Sequence, residues 1–214
     1  MHLLINTGGG DAPGLNAVIR AVTLTGVRRG FRVTGVRRGY AGLLADFPSG
    51  LVPLNRDVVR EIADRGGTIL GTVNKGSPFE YPVANAHGEQ ELTDVSEKLI
   101  ANFRATGADG LIAVGGDGSL RIAARLMEKG IPVIGVPKTI DNDLAATEAT
   151  FGFDTAMSFA TEAIGRLHST AEAHSRVMVV EVMGRHAGWI ALYSGIAGGA
   201  NVILVPEMDF DFDA

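Results

Sequence analysis

The chain has 214 residues, enough for one large domain or one and a half small ones, and its lack of cysteine excludes disulfides and cysteine-ligated zinc. Its net charge of -5 argues against a general nucleic-acid-binding protein, and its 46% apolar composition allows a sizeable core. No apolar segment approaches the ~20 residues that a bilayer span requires, so we expect a cytoplasmic protein without a membrane or nucleic-acid partner.

Apolar runs of strand length alternate with segments of helical period along the sequence. The segment 15–28, for example, places Val18, Ile19 and Val22 on one helical face. In chain order, the predicted elements are a strand at 3–5, a helix at 15–28, a strand at 31–36, a short helix at 57–64, a helix at 92–105 capped by Thr93 or Asp94, a strand at 110–114, a helix at 120–127, a strand at 131–136, a helix at 153–173, a strand at 177–182, a helix at 187–196 and a strand at 202–205.

This alternation predicts an α/β fold, a three-layer sandwich in which helices cover both faces of a mainly parallel sheet. Ligands of such sheets bind at the carboxyl ends of the strands. Glycines follow predicted strands at residues 8–10, at residues 115–116 and at Gly184, so we expect the functional site there. Because the sequence stops after a predicted strand with no closing helix, we also expect a truncated or split protein with an incomplete second domain.

Two of these glycine-rich turns join a predicted strand to a predicted helix. In residues 7–16 (TGGGDAPGLN) the glycines let backbone N–H groups approach a polyphosphate, and a helix N-terminus follows. In residues 115–119 (GGDGS) the acid between glycines is placed to hold Mg²⁺ beside the phosphates. The alternative for residues 7–16 is a tight strand-to-helix turn, and the alternative for residues 115–119 is a structural turn with a capping aspartate.

Residues 137–143 (PKTIDND) follow the predicted strand 131–136 and combine a lysine, a hydroxyl and two carboxylates. In an extended loop, Thr139, Asp141 and Asp143 point the same way, towards one cavity. One carboxylate could take a proton from a substrate hydroxyl during phosphoryl transfer to an alcohol. The alternative is a solvated turn.

A fourth polar segment, residues 183–188 (MGRHAG), lies downstream of Arg176. Arginine is the residue expected to clamp phosphate oxygens, because its planar fork matches their geometry.

In this order and spacing, the four segments resemble the bacterial-type 6-phosphofructokinase family, over essentially the whole chain. The resemblance implies an allosteric glycolytic enzyme that transfers a phosphoryl group to the 1-hydroxyl of fructose 6-phosphate, giving fructose 1,6-bisphosphate. It implies Mg²⁺ as cofactor and ATP or pyrophosphate as donor. It also implies two α/β domains with the active site between them, assembled into a dimer or tetramer.

The same resemblance assigns residues 1–137 to the donor-binding domain and residues 138–214 to the start of the sugar-phosphate domain. Asp117 corresponds to the metal-binding residue. Lys75 lies near the place of an arginine that bridges donor and acceptor. The implied donor-binding residues are Gly9, Lys75, Gly116, Asp117, Gly118, Ser119 and Lys138.

On the acceptor side, the resemblance implies three catalytic residues: Asp141 as general base, Thr139 near the transferred phosphoryl group, and Arg185. Arg176 matches an arginine that family members lend to the neighbouring subunit. The implied substrate-binding residues are Thr139, Asp141, Asp143, Arg176, Met183, Gly184 and Arg185.

The donor is left open between ATP and pyrophosphate. Members with glycine at the position of Gly118 generally use ATP, which favours ATP here. Lys138, however, is the residue shared by pyrophosphate-dependent members, and Ile122 occupies a position where many ATP users have glycine.

Two other interpretations compete with an active phosphofructokinase. Family members continue for at least another hundred residues, so this chain could be a non-catalytic fragment that binds a nucleotide or phosphate. A kinase with another acceptor, such as a nicotinamide nucleotide, is disfavoured by residues 137–143 and 183–185.

Overall fold

The computed structural model describes residues 1–74, 76–84 and 88–211. The chain forms two compact units, Met1–Lys138 and Thr139–Ala214. Within the described ranges, no helix combines the length and the apolarity that crossing a bilayer would take.

The parallel strands and the helices of the first unit alternate as the sequence predicts. Its elements are β1 (His2–Thr7), α1 (Leu15–Arg28), β2 (Arg32–Val36), a 3₁₀ turn (Ala41–Leu43), β3 (Leu51–Leu54), β4 (Tyr81–Ala84), β5 (Gln90–Thr93), α2 (Ser96–Ala105), β6 (Gly110–Gly115), α3 (Asp117–Glu128) and β7 (Val133–Thr139).

The strand order β3-β2-β1-β6-β7 places β1 at the centre of this unit's sheet. β1 pairs in parallel with β2 on one side and with β6 on the other, β6 pairs in parallel with β7, and β3 runs antiparallel to β2. The chain therefore reverses its winding direction between β1 and β6. In a parallel sheet, that switch point opens a crevice at the carboxyl ends of the two strands.

Alternate residues of the strands enter two separate cores. Leu4 packs with the α2 residues Leu99 and Phe103 on one face of the sheet. Ile5 packs with the α1 residues Leu15 and Ile19 on the other face. These two cores make a three-layer α/β sandwich, which confirms the predicted fold class.

Two predicted helices of the first unit are wrong in whole or in part. Residues 57–64 form turns: the Asn55 side chain accepts hydrogen bonds from the N–H groups of Asp57 (3.0 Å) and Val58 (2.9 Å), as at a helix start, but no regular helix follows. The predicted helix 92–105 begins only at Ser96, whose N–H donates to the Asp94 carboxylate (2.8 Å).

The antiparallel strands of the first unit were not predicted. β4 and β5 form a hairpin whose exposed, mixed sequence lacks an apolar alternation. β3 contains a proline, which usually argues against a strand.

The second unit contains β8 (Phe151–Gly152), α4 (Phe153–His174) and α5 (Trp189–Gly198). The two helices pack closely at Gly198, where an added Cβ would lie 2.8 Å from a methyl group of Ile164. The predicted strands 177–182 and 202–205 are wrong: neither run forms a strand in the described chain. Both runs are largely exposed, and an apolar run becomes a strand only where a neighbouring strand supplies hydrogen-bond partners.

Candidate active site

The two glycine-rich turns of the first unit meet at the switch point between β1 and β6. The Gly8 N–H extends the hydrogen bonding between β1 and β6 by donating to the Val114 carbonyl (2.9 Å). Ser119 fills the space between the turns: a Cβ on Gly8 would lie 2.6 Å from Ser119 Oγ, and one on Gly115 would overlap the Ser119 side chain. Both positions therefore need glycine for the turns to approach this closely.

Lys138 reaches the same place from the carboxyl end of β7. Its side chain is buried, with only 4% of the residue exposed, and its Nζ donates a hydrogen bond to the Gly10 carbonyl. A Cβ on Gly9 would lie 3.6 Å from both Lys138 Nζ and Ser119 Oγ. The missing side chain at Gly9 thus leaves a space bordered by an ammonium and a hydroxyl, two groups that bind phosphate oxygens.

The backbone of Gly9 is already engaged. Its N–H donates to the Val73 carbonyl (3.2 Å), and its carbonyl accepts a hydrogen bond from the Thr72 hydroxyl. In this conformation the absence of a side chain at Gly9 leaves space beside Lys138 and Ser119. The Gly9 N–H is not available to a ligand, because it is bonded to Val73.

Asp117 is the first residue of α3, directly after Gly116. Its carboxylate forms an ion pair with Arg121 one turn later (2.9 Å), and its side chain is 57% exposed. A Cβ on Gly118 would meet no atom within 4 Å, and one on Gly116 would lie 3.4 Å from the Lys138 carbonyl. The turn therefore presents one accessible carboxylate with open space next to it.

These residues fit Mg²⁺ in its usual protein setting, in which one or two carboxylates and the substrate phosphates share the ion. Asp117 would be the carboxylate ligand. To bind the ion, its carboxylate would have to keep Arg121 as a second partner or release the ion pair with it. Among the described residues, no group of three or more acidic or histidine side chains could hold a metal ion without such a substrate.

Tyr40 supports the second turn and was missed in the sequence. It is buried, and its hydroxyl donates to the Ser119 carbonyl (3.5 Å). Burial raises the pKa of this hydroxyl, and a hydrogen bond with the Asn6 side chain opposes that effect in part. A buried tyrosine needs such polar partners, but a lone tyrosine in a glycine-rich stretch gave no sequence signal for this position.

In the second unit, the 139–150 loop is closed by its own polar side chains. The Asp141 N–H donates to Thr139 Oγ1 (3.1 Å), and the Thr150 hydroxyl donates to the Thr139 carbonyl (2.7 Å). Asn142 has a left-handed backbone and accepts a hydrogen bond from the Thr150 N–H (3.0 Å). Asp141 is half-buried and Asp143 is exposed. Sequence reasoning identified the two acids but missed Asn142 and Thr150, which hold their loop.

The 183–188 segment makes a tight turn. Gly184 has φ +141°, and a Cβ there would clash with the Ala187 carbonyl. Arg185 also has a left-handed backbone and is exposed, as are Met183 and Arg176. Arg185 is therefore accessible to a ligand. Of the other predicted site residues, Lys75 lies outside the residues that the structure describes.

Comparison with known proteins adds family information to this geometry. The family model "Phosphofructokinase" matches residues 2–214. The chain is 53% identical to an ATP-dependent 6-phosphofructokinase of Clostridium perfringens over 99% of the chain, and 53% identical to a pyrophosphate–fructose 6-phosphate 1-phosphotransferase of Streptomyces coelicolor over 100% of the chain. A crystal structure of Pichia pastoris phosphofructokinase superposes with a TM-score of 0.84 at 25% identity, covering 100% of this chain and 22% of that protein.

The chain matches only part of its curated relatives. It spans 57% of the length of the Clostridium perfringens protein and 58% of the length of the Streptomyces coelicolor protein. The activity of those whole proteins is therefore a separate question from the family of this chain.

Proposed function

Because the chain belongs to the phosphofructokinase family, we propose that it serves in phosphoryl transfer from ATP to the 1-hydroxyl of fructose 6-phosphate, giving fructose 1,6-bisphosphate. The observation that carries the proposal is the buried Lys138 ammonium beside Gly9 and Ser119 at the sheet's switch point. A buried cation facing an open glycine position is an arrangement suited to a polyphosphate.

On the donor side, the Lys138 ammonium and the Ser119 hydroxyl bind phosphate oxygens in the space that Gly9 leaves. Because Lys138 is buried, its charge is little screened by water and stabilises developing negative charge more strongly than a surface lysine would. Asp117 would hold Mg²⁺, which would supply positive charge to neutralise the phosphates. Gly116 and Gly118 keep the backbone close to them, and Lys75 is part of the same proposed donor site.

On the acceptor side, Asp141 accepts the proton of the sugar 1-hydroxyl. The hydroxyl oxygen then forms its bond to the γ-phosphorus while the bond to the leaving ADP oxygen breaks. The Asp141 N–H bond to Thr139 ties the base to a hydroxyl placed near the transferred group. The proposed substrate-binding residues are Asp143, Arg176, Met183, Gly184 and Arg185, with the two arginines binding phosphate oxygens.

Pyrophosphate is the second candidate donor. Its support is the name of the Streptomyces coelicolor relative, which is as similar to this chain as the ATP-dependent one. The geometry at Lys138 and Ser119 would serve either donor, because both present a terminal phosphoryl group and an adjoining phosphate.

A phosphate-binding role without turnover is the third candidate. Its support is that the chain spans little more than half of its relatives' length. Binding energy from the remote end of a substrate normally helps to position the reacting group, so a smaller acceptor site would lower turnover as well as affinity.

The same proposal includes the organisation of the molecule. Residues 1–137 form the donor-binding domain and residues 138–214 belong to the sugar-phosphate domain. A homodimer or homotetramer, a cytoplasmic location and allosteric control are further parts of the proposal, because they are what the family resemblance implies.

Product formation by the chain tests this proposal. Mg²⁺ and fructose 6-phosphate are incubated with ATP or with pyrophosphate, and fructose 1,6-bisphosphate is measured, with Asp141→Asn as the matched inactive control. Product from ATP supports the main proposal, product from pyrophosphate alone supports the second, and donor binding without product supports the third. A chain that binds neither donor would contradict all three.

A further inference from the structure

Residues 66–73 (GGTILGTV) carry no charged side chain. This segment lies directly against the glycine-rich turn that contains Gly9. Its Val73 carbonyl accepts the Gly9 N–H (3.2 Å), and its Thr72 hydroxyl donates to the Gly9 carbonyl. Both polar groups of the Gly9 backbone are therefore fixed by this segment. Any shift of the segment moves Gly9 relative to Lys138 and Ser119.

Asn16, in the first turn of α1, fixes the start of that segment. It is only 2% exposed. Its Nδ2 donates to the carbonyls of Arg65 (3.0 Å) and Gly66 (3.3 Å), and its Oδ1 accepts the N–H of Ile69 (2.8 Å). One buried amide thus satisfies one acceptor and one donor of the segment and the carbonyl of Arg65 just before it, a combination that a carboxylate or a hydroxyl cannot reproduce.

Thr7 fixes the middle of the segment from the end of β1. Its buried hydroxyl donates to the Gly71 carbonyl (3.0 Å) and lies 3.0 Å from Thr68 Oγ1. Because the Thr7 proton is used on Gly71, Thr68 must donate to Thr7, and Thr68 Oγ1 also accepts the Leu70 N–H (3.2 Å). The hydrogen bonds therefore run in one direction through the segment.

Leu70 adds an apolar anchor between these polar contacts. It is 2% exposed, and its side chain occupies the space over Gly35 of β2, where an added Cβ would overlap it. The segment is thus held by α1 at its start, by β2 and β1 in its middle, and by its own bonds to Gly9 at its end.

We propose that Asn16 is a positioning residue for the donor site: through the 66–73 segment it holds Gly9 in register with Lys138 and Ser119. This inference rests on the proposed donor-binding function of those residues. It assigns Asn16 no contact with the donor. Its effect passes through the segment to the Gly9 backbone.

The test compares Asn16→Ala with Thr23→Val in the 214-residue chain. Thr23 is a buried residue of the same helix, and its hydroxyl donates within α1 to the Ile19 carbonyl (2.8 Å), away from the segment. Amide hydrogen exchange is followed at residues 8–10 and 66–73, and the dissociation constants of MgATP and Mg-pyrophosphate are measured. For Asn16→Ala we expect exchange to accelerate about tenfold or more in both regions, and donor affinity to fall by about tenfold. Thr23→Val should change neither.

A second pair of variants keeps the test valid if Asn16→Ala does not fold. Thr7→Val removes the hydroxyl that holds Thr68 and Gly71 and should loosen the same amides, while Thr7→Ser keeps the hydroxyl and should restore protection. Unchanged exchange at residues 8–10 and 66–73 would overturn the inference, as would faster exchange with unchanged donor affinity.

Failure of the proposed function is distinguishable in the same experiment. If the wild-type chain binds neither donor, the donor function fails, and exchange at the Gly9 amide alone decides about Asn16. Faster exchange there in Asn16→Ala supports the positioning role, and unchanged exchange rejects it.

Discussion

Gly9 has a left-handed backbone, with φ +80°, and a Cβ added to it would lie 3.6 Å from both Lys138 Nζ and Ser119 Oγ. Gly9→Ala would place a methyl group in the proposed phosphate space and strain the backbone by roughly 1–2 kcal/mol. We expect donor affinity to fall by about tenfold or more. The measurement is calorimetric titration with MgATP and with Mg-pyrophosphate.

Gly10→Ala is the matched control for that change, because a Cβ on Gly10 meets no atom within 4 Å and its backbone is not left-handed. It should alter donor affinity little. Equal losses in the two variants would show that general disturbance of the turn, rather than the space at Gly9, controls binding.

His2 lies at the end of the sheet opposite the candidate site. Its contacts lead us to expect that the stability of the protein depends on pH. Its Nδ1 accepts a hydrogen bond from the Arg32 guanidinium (2.8 Å), so its other nitrogen, 2.9 Å from Thr34 Oγ1, carries the proton. Burial, and next the charge of Arg32, lower the pKa of His2 in the folded protein. The unfolded chain therefore binds a proton below the ordinary pKa of about 6.5, where folded His2 does not.

Stability should accordingly fall as the pH drops below about 6.5, down to the lowered folded pKa. Urea unfolding between pH 7.5 and 5.0 checks the direction, and His2→Gln should flatten the decrease relative to wild type. If the two proteins lose stability in parallel, His2 is not the cause of the decrease.

At the scale of elements, the 139–150 loop depends on Thr150. This residue is only 5% exposed, and its hydroxyl donates to the Thr139 carbonyl beside the proposed base. Thr150→Val leaves that carbonyl without this donor and should lower the free energy of unfolding by about 1–3 kcal/mol. Denaturant unfolding of the chain measures the change.

Thr147→Val serves as the control in the same loop, because its hydroxyl bond to the Ala149 carbonyl (3.0 Å) is exposed to solvent. Its effect should be much smaller. A loss at Thr147 as large as at Thr150 would mean that the loop is not held by the buried hydroxyl.

The sequence predicted the elements that carry strong periodicity. The predicted bounds of α1 match the structure, because its apolar residues recur at helical spacing and Arg28 closes the last turn. The hairpin of β4 and β5 escaped prediction, since its pairing comes from backbone bonds between exposed residues. The runs at 177–182 and 202–205 were predicted as strands because periodicity reports apolar character and not the presence of a pairing partner.

Residues of the candidate site could be predicted only where the residue type itself indicates the chemistry. Glycines after strands and the acids at 117, 141 and 143 stand out in the sequence. Asn16, Tyr40 and Thr150 do not, because each acts by binding a backbone group far away in sequence or across a loop. Their roles depend on tertiary packing, which one sequence does not reveal. The roles of the predicted site residues themselves stay predictions.

At the scale of the whole molecule, the chain spans 57% of the Clostridium perfringens relative and exposes large apolar side chains. Val177 and Val179 are each 91% exposed, and Phe159 is 74% exposed. The first unit, by contrast, has two buried cores and contains the proposed donor site, so donor binding is the property that we expect most directly of the chain.

Donor binding by wild type and by Lys138→Met shows whether the buried ammonium of Lys138 forms a phosphate site. Methionine keeps the apolar length of the side chain but removes the buried ammonium. Lys129→Met is the control, because it removes only a surface ion pair with Glu97 (2.7 Å). We expect wild type and Lys129→Met to bind MgATP or Mg-pyrophosphate with similar affinity, and Lys138→Met to lose about tenfold or more. Equal affinity in all three proteins would contradict a phosphate site built around Lys138.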